Sequence, residues 1–157
     1  ICQQGHEIQG LGEQAVCVEQ MTAKACRKEL QKIRETIGTV TEEPAVFFRI
    51  PGGEYNNEVL RTIYACGSYP VAWSVDSMDW KEYEAGELVR QLLQSCTIRD
   101  GEILRFHGEG ENTGEMVKLL HPRLKEEGYE AVTVSQMVYK DRYRMTTDGR
   151  QIPEKSK

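Results

Sequence analysis

Short apolar runs that end in charged residues alternate along this chain with stretches whose apolar residues fall at helical spacing. That alternation constrains the fold more than any other feature. Strand, helix and strand in repeated order favour parallel strands with helices packed outside them, joined by right-handed crossovers. Ala23, Cys26, Leu30, Ile33 and Ile37 predict a helix over 22–37 that Gly38 stops. A strand is predicted over 45–48. Asn56 then caps a helix carrying Val59, Leu60 and Ile63, which Gly67 ends. The pattern continues with a strand over 69–75, a helix over 84–96 and a strand over 103–106. Asn112 and Glu115 have capping-box spacing before a stripe of Met116, Val117, Leu120 and Leu124, which Gly128 closes. Pro122 is expected to kink or split that helix. A last strand is predicted over 131–134, and a further one near Glu7 and Ile8.

The 157 residues fit one domain. Its bounds are expected at 1–139, with a polar, irregular or mobile tail over 140–157. Four clear strands are few for a closed barrel, whose interior about eight strands fill. The expected architecture is therefore an α/β fold of parallel strands, a partial or distorted (β/α) barrel that is open, incomplete or completed by a partner. An open barrel leaves a strand edge, and such edges attract partners, so a homodimer is expected.

The net charge of −5 comes from 20 basic and 25 acidic side chains, with no basic stripe interleaved with aromatics. Nucleic acid is excluded as a partner on that pattern. No apolar run reaches membrane-spanning length, so a soluble chain without a membrane span is expected. No signal peptide is evident. The chain begins at Ile1 without a methionine, and a processed or cut N-terminus is expected. Cysteine pairing gives no metal pattern: the five cysteines lack zinc-knuckle or Cys-x-x-Cys spacing. Cys26, Cys66 and Cys96 fall on or beside apolar helix faces and read as buried thiols. Cys2 and Cys17 lie in less regular sequence, where a disulfide is an open alternative.

Active-site groups of α/β folds sit at strand ends. Three strand ends here deliver chemistry: Arg49-Ile50-Pro51-Gly52-Gly53, Asp76-Ser77-Met78-Asp79-Trp80, and Arg105-Phe106-His107. With Gly5-His6-Glu7-Ile8-Gln9-Gly10-Leu11, these segments resemble four of the five ordered motifs of the polysaccharide deacetylases, the NodB homology or carbohydrate esterase family 4 domain. The resemblance covers residues 5–137. It implies hydrolysis of carbon–nitrogen amide bonds in N-acetylated glycans, and work outside the cytoplasm at the cell envelope. It implies that Arg49 orients a catalytic aspartate, that Asp79 tunes His107, and that His107 is the general acid. By the same resemblance Pro51 and Gly52 border the oxyanion, Trp80 lines the acetyl pocket, and Arg105 replaces the pocket leucine.

The family's metal-binding histidines correspond to Leu11 and Ala15. Neither side chain has a lone pair, whereas a zinc site needs three protein ligands and an open position. The family's Asp-Asp motif, one residue a base and the other a ligand, has no counterpart in the sequence. A degenerate, metal-free site without cofactor is therefore expected, weakly active or inactive, and no metal ligand is assigned. Two readings stand for Arg49, Asp79 and His107. In one they are a retained half-site for a sugar or acyl group; in the other they are a buried polar network that ties strand ends together. The same fold admits an alternative as a non-catalytic glycan- or protein-binding module. His6 reads as a packed, satisfied residue, His121 as surface and Trp73 as core. The loop Gly108-Glu109-Gly110-Glu111 reads as solvated, with cation binding the sharper alternative.

Overall fold

A computed structural model describes residues 1–12, 22–41, 44–53, 55–108 and 110–154. The chain divides into two compact units, Ile1–Ala72 and Trp73–Lys157.

The first unit holds β1 (Gly10–Leu11), α1 (Ala23–Thr41), β2 (Phe47–Arg49), α2 (Asn57–Ala65) and β3 (Tyr69–Val71). The strands form one parallel sheet in the order β1-β2-β3. Register places Leu11 beside Arg49, and Arg49 beside Val71, at the carboxyl ends. The Gln9 side chain extends the ladder by accepting from the amides of Val46 and Phe47 at 3.0 and 3.1 Å. Cys26 and Leu30 of α1 pack with Phe48, Ile50, Val59 and Ile63 to form the core. Asn56 caps α2 as expected, accepting from the Val59 amide at 2.9 Å. Gly67 ends it at φ 67°, and Ser68 and Gly67 return their amides to Ile63 and Tyr64 in the six-to-one, five-to-two pattern. Burial pushes the Cys26 thiol up to about 11, and the nearby Cys66 and Glu29 add to that.

The second unit holds β4 (Val75–Asp76), α3 (Ala85–Ser95), β5 (Leu104–Arg105), α4 (Thr113–Glu126), the short α5 (Val134–Met137), and β6 (Tyr143–Met145) with β7 (Gln151–Pro153). Strands β4 and β5 are parallel, with Val75 opposite Leu104 and Asp76 opposite Arg105. Val75, Ala85, Leu88, Val89, Leu92, Met116 and Leu120 make the core between this pair and helices α3 and α4. No helix among the described residues is long and apolar enough to cross a membrane.

Several expectations are corrected. Helix α1 runs through Gly38 to Thr41, because the Thr39 and Thr41 hydroxyls satisfy the late carbonyls of Thr36 and Ile37. The strand near Glu7 lies two residues later, at β1. The run 69–75 is two strands, one pairing with β2 and the other with β5. Asn112 caps nothing with its side chain, which donates to the Tyr83 carbonyl at 3.0 Å instead. Pro122 leaves α4 in one piece. Pro122 has no amide to give the Lys118 carbonyl, and both residues are exposed, where the loss is cheapest. Val117 is exposed rather than buried.

Residues 131–133 form no strand. Thr133 and Gln136 make a capping box that starts α5. The C-terminal segment is ordered into a hairpin: β6 and β7 pair antiparallel. Arg150 ties this hairpin to Glu102, a side chain only 7% exposed, at 2.7 Å. Cys2 is exposed and free, while Cys17 lies outside the described residues.

Candidate functional site

The second unit gathers its polar chemistry at the carboxyl ends of β4 and β5. Parallel pairing sets Asp76 beside Arg105. Arg105 and His107 are two positions apart and emerge on the same side of the strand. The three side chains meet there. His107 Nε2 lies 2.9 Å from Asp76 Oδ1, Arg105 NH1 lies 3.7 Å from Asp76 Oδ2, and Arg105 NH2 lies 3.4 Å from His107 Nδ1. The Arg105 guanidinium stacks 4.1 Å over the Trp73 ring, which is half-buried rather than core. Burial works against the Asp76 carboxylate, yet the Met78 amide, His107 and Arg105 outweigh it and hold its pKa below the ordinary value.

Asp79 is 1% exposed and does something different. Its carboxylate accepts from the backbone amides of His107 and Gly108 and from the hydroxyls of Thr113 and Ser77, at 2.6 to 3.2 Å. Burial opposes the charge, but these four donors bring the pKa down to about 2. The loop after β5 wraps this carboxylate closely. A Cβ on Gly110 would run into the Asp79 carbonyl oxygen, so only glycine fits there.

The expectation that Asp79 tunes the imidazole is corrected. Asp79 holds the His107 backbone, and the imidazole's carboxylate partner is Asp76. Sequence reasoning missed Asp76, because the β4–β5 register that sets it beside Arg105 is not written in either segment alone. Thr113 and Ser77, the hydroxyl partners of Asp79, were missed as well. Trp80 is 53% exposed and meets the His107 ring edge-on, with centroids 6.5 Å apart. The structure thus brings Asp79, Trp80, Arg105 and His107 together in one unit. Arg49, Pro51 and Gly52 belong to the other unit. Arg49 ends β2, and Pro51–Gly53 form a single 3-10 turn in which Gly52 has φ 69°.

His6 is exposed rather than packed, and His121 is exposed as expected. Glu109 lies outside the described residues. Among the described residues no group of three or more His, Cys, Asp or Glu is placed to hold a metal ion. Leu11 ends β1 with 55% of its surface exposed, a hydrocarbon side chain at a strand end. Ala15 lies outside the described residues. The side chains at 11 and 15 do not fit a metal, since neither carries a donor atom.

Residues 1–71 match the family model described as polysaccharide deacetylase. The chain is 28% identical over 138 residues to a peptidoglycan-N-acetylglucosamine deacetylase of Listeria monocytogenes, covering 86% of this chain and 28% of that protein. It is 26% identical over 143 residues to a peptidoglycan-N-acetylglucosamine deacetylase of Bacillus cereus, covering 88% of this chain and 66% of that protein. The chain therefore spans less than two thirds of these relatives. Among solved structures, a carbohydrate esterase family 4 pseudoenzyme from Bacillus anthracis superposes with a TM-score of 0.78 at 23% identity, over 87% of this chain and 48% of that one.

Proposed function

We propose that this chain, whose residues 1–71 match the polysaccharide deacetylase model and which is similar to peptidoglycan-N-acetylglucosamine deacetylases, is a deacetylase-fold domain whose site has degenerated, one that holds an N-acetylated glycan with little or no turnover. A bound divalent ion supplies the family's chemistry by activating water against the amide carbonyl. Positions 11 and 15 offer that ion leucine and alanine, and this is the observation that carries the reading.

What its own residues do is bind and position. Trp80, 53% exposed with the Lys81 ammonium 5.9 Å from its ring centre, supplies an aromatic ring for stacking on a pyranose. Asp79 fixes the loop that carries His107. Arg105 puts a cation where the resemblance places an apolar pocket wall. Pro51 and Gly52 keep the strand-end turn, and Arg49 keeps its place at the end of β2. The named relatives act on peptidoglycan, which supports a glycan of the cell envelope as the ligand and the envelope as the place of work.

The test pairs turnover with binding. Acetylated glucosamine oligomers are incubated with the chain and zinc, and released acetate is measured alongside binding by calorimetry. Binding without acetate release, weakened in Trp80→Ala, is expected. Acetate release that a chelator stops and His107→Ala abolishes would overturn the reading in favour of an active deacetylase.

A further inference from the structure

Both nitrogens of the His107 ring face partners from its own chain. Nε2 faces Asp76 Oδ1 at 2.9 Å, and Nδ1 faces the Arg105 NH2 group at 3.4 Å. A guanidinium has N–H donors and no acceptor. The nitrogen turned toward it must therefore present its lone pair, so the ring proton belongs on Nε2, where the Asp76 carboxylate accepts it. The guanidinium is held in this pose on two further sides. It stacks over Trp73 at 4.1 Å and lies 3.7 Å from Asp76 Oδ2. The imidazole itself is only 19% exposed.

We propose that Arg105 is a positioning residue that locks His107 in its neutral Nε2–H form, with neither ring nitrogen free to give a proton to a leaving amine. A general acid must aim an N–H at the group it protonates; this one aims at Asp76. Arg105, by its position, thus silences the acid as well as replacing the pocket wall. The functional meaning of the lock rests on the degenerate-site reading, but its geometry does not.

The test reads the ring directly. In the 15N-labelled chain at pH 8, long-range proton–nitrogen correlations report which nitrogen carries the proton, and His107→Gln identifies the signal among the three histidines. His107 is expected as the pure Nε2–H tautomer, while the exposed His6 and His121 average between forms. A proton on Nδ1, or averaging like that of His121, overturns the lock without need of any variant. Carbethoxylation by diethyl pyrocarbonate, mapped by peptide mass, gives the second arm. His107 is expected to react several-fold more slowly than His121, and Arg105→Met, which keeps a long side chain over Trp73 but no donor, is expected to raise its rate several-fold. An unchanged rate in Arg105→Met overturns the lock by showing that burial alone protects the ring. Acetate release by the unaltered chain would instead overturn the degenerate-site reading while leaving the tautomer result standing.

Discussion

His107 Nε2 and Asp76 Oδ1 stand 2.9 Å apart across adjacent parallel strands, so the carboxylate that touches the imidazole starts the Asp-x-x-Asp segment rather than ending it. The second carboxylate, Asp79, is spent on backbone and hydroxyl donors. The two aspartates therefore separate into one that faces a side-chain cluster and one that builds the loop.

That division predicts unequal costs. Asp79→Asn turns an amide NH2 toward donors that now meet a carboxylate, and stability should fall by about 3 kcal/mol. Asp76→Asn removes partly exposed ionic contacts and should cost about 1 kcal/mol. Urea unfolding of the two variants checks the order; equal losses would contradict it.

The Asp79 carboxyl titrates at about 2 in the folded chain, below its ordinary value of 3.8. A depressed carboxylate contributes stability that is complete above its unfolded pKa and is lost as pH falls through the folded one. Stability should therefore drop between about pH 4 and pH 2, by roughly 2 kcal/mol from this group. Asp79→Asn should flatten that part of the curve. Denaturation midpoints measured across the range give the answer.

Gly110→Ala should destabilise the chain by at least about 2 kcal/mol, because the added methyl meets the Asp79 backbone carbonyl, which cannot swing aside. Hydrogen exchange at the His107 and Gly108 amides should rise in the same variant. Gly114→Ala in α4, where the added carbon meets nothing within 4 Å, serves as the comparison that should lose no stability.

Removing Arg150 takes from the Glu102 carboxylate the guanidinium 2.7 Å away and leaves only the weaker pull of Arg99. Burial disfavours that carboxylate, and the Ser74 hydroxyl and Arg150 together hold its pKa down. Arg150→Ala should leave the fold of the second unit standing but free the β6–β7 hairpin, seen as faster proteolysis within residues 140–153. Unchanged protection would mean that the hairpin is held by other contacts.

Trp80→Ala should weaken glycan binding about 5- to 10-fold, the loss of about 1 kcal/mol of ring stacking. Calorimetric titration with acetylated oligosaccharide measures it. Trp73→Ala gives a contrast, since Trp73 carries the Arg105 stack.

Much of this was legible in the sequence. The parallel α/β order, the Asn56 cap and the glycine stops at Gly67 and Gly128 follow from local pattern, while Asp79, Trp80, Arg105 and His107 were named through the family resemblance. Several of the misses share a physical cause: they turned on a partner distant in sequence. Which aspartate meets His107 depends on the β4–β5 register. Asn112 looked like a cap because Tyr83, its true partner, is not a neighbour in the chain. The tail looked irregular because the Arg150–Glu102 pair that anchors it spans two distant segments. Gly38 looked like a stop because the hydroxyls of Thr39 and Thr41 were not weighed as carbonyl partners.

The metal content of the chain after equilibration with zinc and removal of free ion tests the central claim most directly. With leucine and alanine at positions 11 and 15, the chain should retain only substoichiometric zinc. One zinc retained per chain, accompanied by chelator-sensitive release of acetate, would contradict it.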